Sequence, residues 1–268
     1  MIKCAALLLA AACAQAAAHP EIDRVFNTLY DFQFVESQVR AQAYIAQHAE
    51  DPMGYAALAA CWTFSEMNRL QTFSTEIFKD EKVSGAQAKR VGIDARRGFE
   101  DALNRAKNAG TEALKKNSKD TNALLALVIA TGAERDFAAL IEKRYKDSYY
   151  AARASQDYAL QLQAVAPELA DAWFTRGFSE YLVGSVSPVL RWLMKIERVE
   201  GSKRLGIEYM AKCAKDGQYL RPFAQMMLAT IYKKDKRVQE SRRMMQIYAN
   251  EHPRNEMVRL ELSRLPKS

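Results

Sequence analysis

The chain has 268 residues, 49% of them apolar and 26% charged, which suits a packed core under a solvated surface and excludes wholesale disorder and collagen-like repetition. Only 11 glycines and 7 prolines occur, too few for the many tight turns of a sandwich or barrel, while helix formers crowd almost every window. The formal charge of +7 comes with acids interleaved throughout, so it reads as a solvated positive face and not as a nucleic-acid-binding arm.

Met1-Ile2-Lys3 is a short positive start, and Cys4 to Ala12 is an unbroken apolar run. Ala14-Gln15-Ala16 and Ala16-Ala17-Ala18 then offer small-x-small cleavage sites just before His19-Pro20. This predicts a secretory signal peptide over residues 1–18, its apolar run far too short to cross a bilayer. Cys13 stands where a lipoprotein signal places its lipidated cysteine, although Ala10-Ala11-Ala12 lacks the branched aliphatic residue expected three positions earlier. No later run approaches ~18 uncharged apolar residues, so no transmembrane segment is expected. The compartment is then periplasmic or extracellular, with an outer-membrane lipoprotein as the variant that Cys13 would allow. Such a compartment permits disulfides, yet Cys61 and Cys213 both sit inside helical patterns, where a small buried thiol is the ordinary role.

From His19 onward, apolar residues recur three and four apart in runs of ten to twenty residues, which predicts successive helices. Leu58-Ala59-x-x-Trp62 follows Pro52. Ala106 and Ala113 precede Asn117-Ser118-Lys119-Asp120, and Leu124 and Leu127 come next. Pro167 precedes Trp173 by six residues and Gly177 by ten. Leu228-Ala229-x-x-Tyr232 leads to Ser241, Met245, Tyr248 and Pro253. This set resembles the tetratricopeptide repeat, a pair of antiparallel helices of about 34 residues. In that family a small residue on the first helix lets its partner cross at close range, and a proline ends the second helix. Gly177 and Ala229 hold the small-residue position, and they lie 52 residues apart, one repeat plus an insertion of 18 at about 185–202. A second insertion, of about 32 residues, falls around 69–100. Gln225 and Tyr248 depart from the family's pattern, as do Val128 and Thr131, and Leu58-Ala59 comes three residues early for the phase set by Pro52.

The resemblance implies an all-α, right-handed α-solenoid of about five irregular helix pairs, forming a single domain over residues 19–268. The pairs run His19–Pro52, Met53–Ser118, Lys119–Pro167, Glu168–Tyr219 and Leu220–Pro253, and a helix at Glu256–Leu265 caps the stack. The opening Leu29-Tyr30-Asp31-Phe32-Gln33-Phe34-Val35-Glu36-Ser37 is also similar to the start of exported bacterial proteins of this repeat class, as is Gly184-Ser185-Val186-Ser187-Pro188.

Motifs of catalysis are scarce. The three histidines, His19, His48 and His252, have no Glu-x-x-His partner, and no Cys-x-x-Cys occurs, so no metal site is expected. Gly177-Phe178-Ser179-Glu180-Tyr181 lacks the second glycine of a nucleophile elbow, and no phosphate-cradling glycine loop is present. Neither cofactor nor catalysis is expected, leaving only a carboxylate site without a motif as a remote enzymatic reading. In the inserted segment 186–200, Ser187 is a candidate N-cap with Pro188 at the first helical position, and Val189 to Ile196 is too apolar for a freely exposed helix. It packs into the curve of the stack, or covers an apolar ligand, or touches a membrane or partner. The family's groove-lining positions fall on Asp171, Phe174, Phe178 and Tyr181, then on Phe223, Met226, Thr230 and Lys233. Such a lining suits a protein or peptide partner in the cell envelope, or an anionic or apolar ligand, but each aromatic could equally pack on the next repeat.

Overall fold

The computed structural model describes residues 19–70, 72, 91–185 and 201–265, and every regular element among them is helical. Residues 1–18, Cys13 among them, and segment 186–200 lie outside these residues. Among the described residues, eleven α-helices follow one another: α1 Pro20–Tyr30, α2 Phe34–Gln47, α3 Pro52–Arg69, α4 Ile93–Lys116, α5 Thr121–Asp136, α6 Tyr145–Val165, α7 Asp171–Ser185, α8 Lys203–Asp216, α9 Arg221–Lys234, α10 Val238–Glu251 and α11 Glu256–Arg264. A π-helical turn, Phe137–Ile141, extends α5.

Capping chemistry fixes many of these starts. The Asp51 carboxylate accepts the Met53 N–H at 2.9 Å with Pro52 at the first turn of α3, and Asp120 accepts from Ala123 at 2.9 Å on α5. Ser202 caps α8 through Leu205 N–H, and Asn255 caps α11 through Val258 N–H. Each such oxygen satisfies a first-turn donor that the helix itself leaves open. Arg69 and Gly92, at the two ends of the first insertion, are tied together by the buried Glu66 carboxylate, which accepts from both. Helix α4 begins at Ile93, so the last turns of the stretch read as inserted belong to a regular helix.

Neighbours in sequence are neighbours in space. α7 packs closely on α8, α5 on α6, α3 on α4 and α9 on α10. Small residues set the closest approaches. A Cβ on Gly177 would stand 2.8 Å from the Gly206 carbonyl oxygen, and one on Gly206 would stand 2.6 Å from the Gly177 oxygen, so the two backbones nearly touch. At the α9–α10 crossing, Ser241 is fully buried and its Oγ donates to the Ala229 carbonyl at 2.7 Å. On α4, Gly98 makes room for the Trp62 ring, and Gly110 for Leu127 of α5. Cys61 and Cys213 are both buried free thiols, and no bridge joins them.

The order of neighbours is not strictly linear. Helix α3 also packs on α5, and α1 on α3. The turn after α1 meets the far end of the chain. The Tyr30 carbonyl accepts both the Tyr248 hydroxyl at 2.7 Å and Asn255 Nδ2 at 2.9 Å, while Arg254 Nε reaches Asp31 at 2.9 Å.

Candidate functional site

Of the eight residues expected to line a groove, Asp171, Phe174 and Tyr181 are buried, and Phe178, Phe223, Met226, Thr230 and Lys233 are half-buried. Phe174 is 2% exposed, in a chain of rings that joins four helices and one connecting loop: Phe178 at 5.9 Å and Phe223 at 5.1 Å between centroids, then Phe64, Tyr30, Phe26 and Tyr219. Helices α1 and α3 supply Phe26, Tyr30 and Phe64, so the N-terminal helices fill the space an open groove would leave beside α7 and α9. Phe223 and Phe178 are half-buried, and Tyr181 is buried, its phenol raised above its usual pKa by burial.

Asp171 is not a groove charge either. Its buried carboxylate accepts the N–H groups of Gln218, Tyr219 and Leu220 at 2.6–2.8 Å, capping the approach to α9 from the first turn of α7. Burial pushes this carboxyl above its ordinary pKa, and the three donors pull it partly back. On α9, Met226 and Thr230 line a cavity of about 30 Å³ together with Met257, Val258 and Glu261 of α11, and Lys233 Nζ lies 3.5 Å from Glu261. The C-terminal helix therefore covers this side of α9. An apolar stripe with a lysine stem on α9, met by two apolar side chains and an acid on α11, makes a complementary contact.

The other positions that the resemblance singled out differ in burial. Ala59, Ala106 and Ala229 are fully buried, Leu58 and Leu228 are in the core, and Tyr232 is 9% exposed. Pro52 is buried at the start of α3, while Pro167 and Pro253 are exposed in turns and Ala113 is half-buried. Trp173 is half-buried on the outer side of α7, its Nε1 donating to the Pro167 carbonyl at 3.2 Å and its ring carrying Lys212 Nζ at 3.9 Å.

A central cavity of about 40 Å³ lies between α1, α3, α5, α7 and α9, bounded by Phe26, Phe64, Ile129, Phe174 and Phe223. Its wall includes a buried ion pair that sequence reading missed, Arg135 held two-pronged by Asp136 at 2.8 and 2.9 Å, with the guanidinium 4.6 Å from the Phe178 ring. The available signal was three adjacent charges, Glu134-Arg135-Asp136, ending the run Ala123 to Ala133. That volume suits a water or two, well below the ~300–1,000 Å³ of ordinary ligand sites.

Among the described residues, no three His, Cys, Asp or Glu side chains cluster as a metal site, and no helix is long and apolar enough to cross a membrane. Large apolar side chains are exposed on α2, at Val35 and Val39, and at the start of α6, at Tyr145, Tyr149 and Tyr150. No protein-family model, curated protein or solved structure matches the chain.

Proposed function

We propose that this is an exported protein of tetratricopeptide type, its leader removed after Ala18, that acts as an interaction scaffold or adaptor in the cell envelope without catalysis. The observation that carries the reading is the near-contact of α7 and α8 at Gly177 and Gly206, a close crossing of neighbouring helices at the small residue that the resemblance singled out on α7. The sequential packing of α3 on α4, α5 on α6 and α9 on α10 supports a stack of helix pairs, read here as a short, irregular solenoid with α11 at its end. With Phe174 inside, partner recognition falls to side chains that solvent reaches, above all Tyr149 and Tyr150, whose rings lie 5.7 Å apart on α6. The second reading is a carrier of an apolar ligand enclosed by segment 186–200, which lies outside the described residues.

The test is crosslinking in the intact envelope followed by identification of what is captured, for the native chain and for Tyr149→Ser/Tyr150→Ser. The expected result is a defined crosslinked species that the double variant loses while its melting temperature is unchanged. No crosslinked species with the native chain, or one unaffected by the variant, counts against the reading. Phe174→Ala serves as the contrast: it should cost ~3–5 kcal/mol of stability as a core deletion.

A further inference from the structure

Two of the three histidines meet at one surface, although they are 29 positions apart in sequence. The ring centres of His19 and His48 are 6.2 Å apart, and Tyr44 flanks both, at 5.8 and 4.4 Å. Each histidine stands on a fixed backbone. His19 is the N-cap of α1, its carbonyl accepting from Ile22 at 2.8 Å and Asp23 at 3.1 Å, with Pro20 in the first turn. His48 ends α2, its N–H donating to the Tyr44 carbonyl and its own carbonyl accepting from Asp51. The Tyr44 hydroxyl is held by the Asp51 carboxylate, which also accepts from Asn122 Nδ2 at 2.7 Å. Beside them lies a depression of about 120 Å³ lined by Glu21, Arg24, Arg40, Tyr44 and His48.

Two imidazoles are one donor short of a firm site. Cleavage after Ala18 supplies the third, because it turns the His19 amide nitrogen into a primary amine. An α-amine has the lowest pKa of the protein's ordinary amines, ~7.7–8.0, and so deprotonates for a metal near neutral pH. The α-amine and Nδ1 of one histidine close a six-membered chelate ring. Pro20 has no amide N–H, so the competing chelate through a deprotonated second amide cannot form. A metal–nitrogen bond of roughly 2 Å puts each imidazole centre about 3 Å from the ion, so two rings on opposite sides of one ion stand about 6 Å apart. That is the separation observed. Three nitrogen donors in a tetragonal arrangement favour copper(II) over the other divalent first-row ions.

We propose that the processed chain binds one copper(II) ion through the α-amine and Nδ1 of His19 and a ring nitrogen of His48, with Tyr44 packed alongside. The site rests on the proposed cleavage after Ala18, and it makes metal binding a property that the unprocessed chain lacks.

Three forms of the chain are titrated with copper(II) alone: the processed chain starting at His19, the same chain carrying one extra N-terminal glycine, and the processed His48→Ala variant. The expected result is one equivalent bound by the first, with nitrogen hyperfine structure in its electron paramagnetic resonance spectrum. The extra glycine should weaken binding at least 100-fold and His48→Ala at least 10-fold, with unchanged circular dichroism in both. Equal affinity across the three forms overturns the proposal, as does a native chain that binds no copper. The mass of the chain recovered after export separates the premises. A terminus other than His19 removes the copper site and leaves the export reading standing, whereas a chain that stays unprocessed in the cytoplasm removes both.

Discussion

Gly177 and Gly206 show how a single missing methyl group can decide a helix crossing. Cβ atoms at either position would stand 2.6–2.8 Å from backbone atoms of the other helix, which cannot move aside as a flexible side chain could. Gly206→Ala is therefore expected to destabilise by ~1–3 kcal/mol, and Gly177→Leu by more. At roughly 2–4 °C per kcal/mol for a chain of this size, a thermal melt will register either change. An unchanged melt for Gly206→Ala would mean that the two helices are farther apart than described. His252 poses a different problem of the same scale. It is 3% exposed, and burial depresses its pKa, opposed by Asp31 at 3.7 Å and by Glu251 and assisted by Arg221. A folded-state value below the unfolded ~6.5 means that the unfolded chain takes up the proton first as pH falls. The stability associated with neutral His252 is thus complete above that pH and lost as pH drops through the lowered value. Melting temperature should fall between pH 7 and pH 5, and His252→Gln should flatten part of that slope.

Among the elements, helix ends carry more information than helix middles. Among the described residues, four helices begin with a side-chain oxygen on a first-turn N–H, and Asp171 does similar work for α9 from a neighbouring helix. Helix C-termini are less regular. Phe32 and Lys236 take the left-handed conformation, φ 59° in each, directly after α1 and near the end of α9. Arg237 N–H then reaches back to the Tyr232 carbonyl at 2.8 Å, the closing bond of a Schellman turn. An exposed lysine in that conformation carries a steric penalty that glycine escapes, partly offset by glycine's greater freedom in the unfolded chain. Lys236→Gly should accordingly raise stability by about 0.5 kcal/mol, seen as a higher midpoint in urea with an unchanged slope. A lower midpoint would mean that the Lys236 side chain makes a contact worth more than the strain. The pattern marked Pro52, Pro167 and Pro253 as breaks between helices, and each stands at a helix start or in a turn, because such breaks depend on local bonds. It missed the start of α4 at Ile93, since the residues before Phe99 are charged and carry no apolar period.

At the scale of the molecule, the seam between the chain's two ends is the feature with the greatest consequence. Asn255 is fully buried, caps α11 with its oxygen, and donates through Nδ2 to the Tyr30 carbonyl and to the Tyr248 hydroxyl. Asn255→Ala removes a cap and leaves a buried carbonyl with one donor fewer, at a combined cost of ~2–3 kcal/mol. Arg254 sits in the same seam with its side chain about half exposed, and its pairs with Asp31 and Glu36 are worth under ~1 kcal/mol. Chemical denaturation of the two variants should give that ranking. The reverse order would make the seam an electrostatic contact and not a hydrogen-bonded one. The seam also brings the N-terminal rings against the face expected to line a groove. Helix α1, anchored at Tyr30, brings Phe26 and Tyr30 toward Phe64 and Tyr219, and the ring chain continues through Phe223 to Phe174.

The amino-acid pattern by itself determined that the chain is helical, that breaks fall at Pro52, Pro167 and Pro253, that a last helix begins at Glu256, and that Gly177 and Ala229 are close-packed positions. Those properties depend on bonds and spacings within about a turn of the residue concerned. Only the tertiary structure decided that Asp171 is a cap, that Phe174 is core, that Arg135 and Asp136 are buried together, and that His19 approaches His48. Each of these depends on which helix face meets which, and a periodic apolar stripe says that a face is buried without saying what covers it.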